Sequence, residues 1–146
     1  MTETNEIVTV LTEEDGWDFL RRHEFGRLAY RVGNATDIAP VNYVVDGSRV
    51  VFLTSQGSKL AGVAITQDVA FEVDHIEQDH ATSVVAHGLA RHLRGAEAER
   101  AAKLPIRAWV PTEKHEYVAI EITRLAARRF VLRREVMATD STASLD

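Results

Sequence analysis

The sequence predicts a mainly β fold with a minor helical part, a small barrel of six or seven strands flanked by short helices. Two observations carry this. Six or seven segments have strand character, and Gly, Pro, Asn and Asp signals separate them. Helical patterns appear only briefly between strands, so there is no regular β-α-β-α alternation and a doubly wound parallel sheet is excluded. The pattern leaves open whether the barrel is closed or split.

The elements follow in order. Residues 1–10 are expected as a flexible arm, residues 11–137 as the folded domain and residues 138–146 as a disordered polar tail. Thr12 reads as a helix N-cap, because Glu13, Glu14 and Asp15 follow where the helix dipole favours acids. This helix is expected to turn Trp17, Leu20 and Phe25 to the core, to carry Arg21, Arg22 and His23 at its end, and to stop at Gly26. Arg27–Val32 reads as a strand, and Gly33-Asn34 as a turn. Asp37–Val45 is a second strand whose Pro40 demands an edge, a bulge or a break. Asp46-Gly47 is a hairpin signal before a third strand, Arg49–Thr54.

A short helix is expected from Ser58 to about Ile65, capped by Ser58. Val69–Asp74 alternates as a fourth strand, and Ser83–His92 is a fifth in which Gly88 signals a bulge or close backbone approach. Ala96–Lys103 is a helix former; His115–Ile122 and Ala127–Leu132 are the closing strands.

Composition narrows function. With 146 residues the chain is one domain, and 45% hydrophobic with 27% charged residues is ordinary for a globular protein. No apolar run approaches the roughly 20 residues of a membrane span, and the first residues lack the pattern of a secretory signal. The lack of cysteine removes disulfides, thiolate nucleophiles and Cys-ligated zinc, and fits a cytoplasmic location. A net charge of −5 argues against a general nucleic-acid binder. The arginines crowded into the second half read mainly as solvated faces.

The best local candidate is the corner Ser55-Gln56-Gly57-Ser58-Lys59, where hydroxyls, helix N-terminal amides and an ammonium would converge as a phosphate needs. It is not a P-loop, since the Gly-x-x-x-x-Gly-Lys spacing is missing; taken alone it is an ordinary loop and cap. Asn42 and Tyr43 point to opposite faces of one strand. Asp74, His75, Asp79 and His80 suggest metal ligands but read better as a solvated turn, and His87 and His92 cannot share an ion without a bulge between them. Ser83, His87 and Asp74 make a hydrolase triad only on paper, because no Gly-x-Ser-x-Gly elbow is present. Trp109, between Pro105 and Pro111, reads as a core plug.

Read together, FGRLAY (25–30), PVNYVVDG (40–47), FLTSQGSKL (52–60), VAFEVD (69–74), SVVAHGLA (83–90) and LAARRF (125–130) resemble the pyridoxamine 5′-phosphate oxidase-like family of FMN-binding split barrels. The resemblance spans about Leu11 to Leu132 and rests on six motifs in order. It implies a homodimer with FMN sites at the subunit interface. Pro40, Val41, Asn42 and Tyr43 would run beside the isoalloxazine ring. Thr54, Ser55, Ser58 and Lys59 would grip the phosphate, with Gly57 and Leu60 completing the corner. Thr82 and Ser83 would approach from the partner subunit.

Relatives often carry Trp where this chain has Thr82, and authentic pyridoxamine phosphate oxidases have a further Arg- and His-bearing C-terminal segment. The expectation is therefore a flavin-dependent oxidoreductase for some other small organic molecule. Two alternatives stay open: the same groove holding a deazaflavin, haem or another tetrapyrrole, or a non-catalytic flavin carrier or sensor. No side chain advertises itself as catalytic and no metal is expected.

Overall fold

The computed structural model describes residues 7–55, 67–106 and 115–133. The expected helix over 58–65, the corner residues Gly57, Ser58, Lys59 and Leu60, Trp109 and the C-terminal tail lie outside the described residues. Among those described, the elements are β1 (Val8–Leu11), α1 (Glu13–Arg22), β2 (Phe25–Val32), β3 (Ala35–Asp46), β4 (Arg49–Ser55), β5 (Gln67–Ile76), β6 (His80–His92), α2 (Ala96–Ala101) and β7 (His115–Val131).

All strand pairings are antiparallel. The sheet order is β1-β7-β4-β3-β2-β5-β6, and a β6–β7 ladder closes the last six of these into a ring. The ring is the expected barrel; β1 is an addition on the free edge of β7. Val8–Leu11 pairs with Ala127–Phe130, so the sheet reaches into the segment expected as an arm. Its four residues are too few for alternation to show.

β7 corrects the expectation of two closing strands. It runs unbroken because β6 pairs along its length, while β4 covers its first half and β1 its second. Near the junction His87 pairs with Arg124 but Gly88 with Ile122, so Thr123 is an extra residue that interrupts the alternation. Gly88 is the expected close approach: a Cβ there would lie 2.1 Å from the Glu121 carbonyl oxygen.

The Thr12 cap is as expected, with the Asp15 amide donating to its hydroxyl at 3.1 Å. The end of α1 differs. The helix stops at Arg22, with the His23 amide donating to the Leu20 carbonyl at 3.3 Å. Gly26 is instead part of β2, where a Cβ would sit 2.7 Å from the Phe71 ring. Phe25 also belongs to β2 and is exposed rather than turned to the core. Leu20 is fully buried, and Trp17 packs partly buried against the core.

The barrel interior is filled by Leu28, Val50, Phe52, Phe71, Val73, Val84, Val118 and Ile120, all essentially inaccessible. On β5 the alternation is as predicted, with Val69, Phe71 and Val73 inward. β4 is buried on both faces, since Val51 points outward into a second cluster with Leu93, Ala101 and Ala119. That cluster explains why α2 docks there.

Candidate functional site

The barrel is open between β3 and β4. Their ladder runs from Asp46↔Arg49 to Tyr43↔Phe52 and ends there. Beyond that point, among the described residues, β3 pairs only with β2, through Asn42↔Phe25, Val41↔Gly26 and Pro40↔Arg27. Among the described residues, β4 there pairs with β7, through Leu53↔Tyr117, Thr54↔Glu116 and Ser55↔His115. Among the described residues, the two strand ends are not paired with each other beyond that point. Pro40 sits on such a strand end, among the described residues an edge, the first of the options its missing N–H allows. The residues singled out on these strands, Pro40–Tyr43 with Thr54 and Ser55, thus line the two lips of one split.

Their side chains divide by face. Val41 and Tyr43 point inward and are buried. The Tyr43 hydroxyl donates to the Leu20 carbonyl at 2.7 Å, and its ring meets Phe71 edge-on with centroids 4.9 Å apart. Burial, aided by the nearby Glu24 carboxylate, holds the phenol well above its ordinary pKa. Tyr43 and Val41 therefore commit their side chains to the core, leaving backbone to face a ligand. Asn42 points the other way. Its Nδ2 donates to the Glu24 carbonyl at 2.6 Å, which fixes the amide's orientation. Its Oδ1 is then buried without a hydrogen-bond partner.

A buried acceptor left empty costs about 1–3 kcal/mol. The lip of the split accordingly holds an acceptor that an incoming N–H or O–H would satisfy, and the imide N–H of a flavin ring is of that kind. Thr54 is buried and Ser55 exposed on the opposite lip. These residues fit the ring of a flavin.

Thr82 and Ser83 take opposite faces of β6. Thr82 is buried and turns into a cavity beside α1. Ser83 faces outward, where its hydroxyl donates to Glu72 Oε2 at 3.4 Å. Arg27 Nη1 joins Glu72 at 3.0 Å and Asp74 at 2.9 Å. Burial first, then the Asp74 carboxylate, push the Glu72 carboxyl up to about 7 against the pull of Arg27. This group was not singled out from the sequence. The one signal, two acids spaced by two on a strand, becomes a site only through the register that brings Arg27 and Ser83 alongside. Among the described residues, no group of three or more His, Asp or Glu side chains is arranged to hold a metal.

An antiparallel ring parted between two of its strands defines a split β-barrel protein. More narrowly, the chain belongs to the pyridoxamine 5′-phosphate oxidase family, whose model matches residues 12–129. Three solved structures are similar over nearly their whole length. One, from Corynebacterium glutamicum and described as a candidate pyridoxamine 5′-phosphate oxidase, is 32% identical with a TM-score of 0.81, covering 90% of this chain and 99% of its own. The FAD binding protein from Mycobacterium smegmatis is 33% identical, with a TM-score of 0.77 over 85% of this chain and 99% of its own. A conserved protein of unknown function from Corynebacterium diphtheriae is 36% identical, with a TM-score of 0.74 over 85% of this chain and 98% of its own. No curated protein matches the sequence.

Proposed function

We propose that this protein binds FMN in the β3–β4 split as a homodimer and serves as a flavin-dependent oxidoreductase for a small organic molecule. The observation that carries the reading is the parted pair of lips with the buried, unpartnered Asn42 Oδ1 on one of them. Family membership supports it, as does the 33% identity to a protein described as FAD binding. Bound flavin would supply hydride chemistry at its N5. The chain's part is to hold and orient: Asn42 satisfies a ring donor, backbone of Pro40–Tyr43 flanks the ring, and Ser58 and Lys59 grip the phosphate. In the dimer Thr82 and Ser83 would approach a neighbouring protomer's ring, Ser83 from the outward face of β6.

The test begins with the absorption spectrum of the purified protein and titration of the stripped protein with FMN and FAD. Flavin bands and tight FMN binding are expected; a Soret band, or no affinity for either flavin, overturns the reading. Bleaching by a nicotinamide donor separates an oxidoreductase from a passive carrier. The double substitution Ser58→Ala with Lys59→Ala removes charge-assisted hydrogen bonds each worth about 1.5–3 kcal/mol. Unchanged FMN affinity in that variant would refute the phosphate assignment.

A further inference from the structure

We propose that the cavity between α1 and the β5–β6 hairpin is a binding site for a small organic carboxylate. Its volume of about 700 Å³ falls within the range of small-molecule sites. Of the described residues that the resemblance assigns to flavin, Thr82 lines it and Pro40–Tyr43, Thr54 and Ser55 do not, so within one protomer it lies apart from the β3–β4 split.

The floor is one row across three strands. His75 pairs with Thr82, and Thr82 pairs with Arg129. Directly opposed residues of antiparallel strands project from the same face at steps of about 5 Å. An imidazole, a hydroxyl and a guanidinium therefore stand in line over about 10 Å, three groups that donate hydrogen bonds. The wall is one face of α1: Asp15, Asp18, Phe19 and Arg22 are spaced by three, four and seven residues and all line the cavity. Arg22 adds a second guanidinium opposite the row. The ring of His23 lies 5.6 Å from that of His75, closing one side.

Charge selects the ligand. Asp18 is paired with Arg21 at 2.9 Å, and Glu77 is held against His80. Among the described residues, neither Arg22 nor Arg129 has a hydrogen bond or an ion pair of its side chain, and the Asp15 carboxylate has no partner either. Two unpaired guanidiniums against one unpaired carboxylate suit a single negative charge better than the double charge of a phosphate. The planar fork of an arginine matches a carboxylate in two hydrogen bonds. Leu11 and Phe19 supply apolar surface for an organic body behind that head group.

The probes are benzoate and inorganic phosphate, added to the full-length protein as purified. Chemical-shift titration is expected to show saturable shifts at Arg22, His75, Thr82 and Arg129 with benzoate, and calorimetry to show benzoate binding tighter than phosphate. Arg129→Gln should weaken benzoate by at least about tenfold, the loss of a charge-assisted hydrogen bond. Thr82→Val, which keeps shape and removes the hydroxyl, should weaken it several-fold. If Arg129→Gln fails to fold, Arg22→Gln on the exposed helix face gives the same readout. The proposal is overturned if benzoate causes no saturable shift, if phosphate binds more tightly, or if the arginine variants that fold bind benzoate like the unsubstituted protein.

Discussion

The β5–β6–β7 wall and the β3–β4 lips are built from the same kind of strand and behave as opposites. The wall is continuous, from Gln67↔Ala90 to Ile76↔Ala81 on one side of β6 and from His80↔Val131 to His92↔Val118 on the other. The lips hold together only from Asp46↔Arg49 to Tyr43↔Phe52. The wall's buried faces are largely apolar, with buried Thr82 and the unpartnered His92 Nδ1 as its polar members on β6, whereas the lip sets its unpartnered Asn42 Oδ1 beside the parted strand ends. Stability of the ring and binding of flavin are thus weighted to different strands. A substitution packed into the wall's ladder should cost the fold, and one at the lip should cost the flavin.

The largest effect tests the wall. Gly88 lies where β6 and β7 shift register, and an added Cβ would press to 2.1 Å from a carbonyl oxygen and 2.8 Å from its carbon. Those atoms are backbone of the neighbouring strand and cannot rotate away. Gly88→Ala should therefore destabilise by about 3 kcal/mol, the upper part of the usual overpacking range. Chemical denaturation reads this directly. A loss under about 1 kcal/mol would mean that the ladder adapts and that the wall is less rigid than its register implies.

The lip should respond the other way. Asn42→Leu removes the unpartnered Oδ1 and also the Nδ2 bond to Glu24. The Glu24 carbonyl still accepts from the Tyr43 amide at 2.9 Å, so little is orphaned. Stability of the flavin-free protein should move by no more than about 1 kcal/mol. Flavin affinity should fall by about fivefold to tenfold, the worth of one hydrogen bond. Equal loss of stability and affinity would erase the distinction between lip and wall.

What the sequence disclosed follows the same division. The wall strands were legible because Val69, Phe71 and Val73 alternate with Ala70, Glu72 and Asp74, a period only a half-buried strand requires. Gly88 was legible as a close approach because glycine within a strand needs a reason. Pro40 and the residues after it pointed to an edge, yet the split itself is a matter of which ladder ends where, and no local pattern records that. The same holds for the end of α1. Gly26 looked like a helix stop, but it is small because Phe71, far along the chain, packs against its backbone. Thr123 escaped notice for a related reason: one extra residue makes a single bent strand look like two. The His75–Thr82–Arg129 row exists only once three strands are set in register.

The smallest effect lies on the outer surface of the wall, where Glu72, Asp74 and Arg27 meet Ser83. Burial and the neighbouring Asp74 carboxylate raise the Glu72 carboxyl from its ordinary 4.5 to about 7. The two acids share one environment, so they titrate as a pair. Across that window the folded protein holds a proton that the unfolded chain has released. Folding linkage then makes stability fall as pH rises from about 4.5 toward about 7. Glu72→Gln cannot lose that proton, so its melting temperature should decline less over the same interval, with the two curves meeting toward the acid end. The side chain is 30% exposed, and solvent screening keeps the difference small. Parallel curves would show that Arg27 alone settles the charge of the pair. Convergence would instead identify the wall's outer face as a place where a proton is held, next to the Ser83 hydroxyl proposed to approach a partner's flavin.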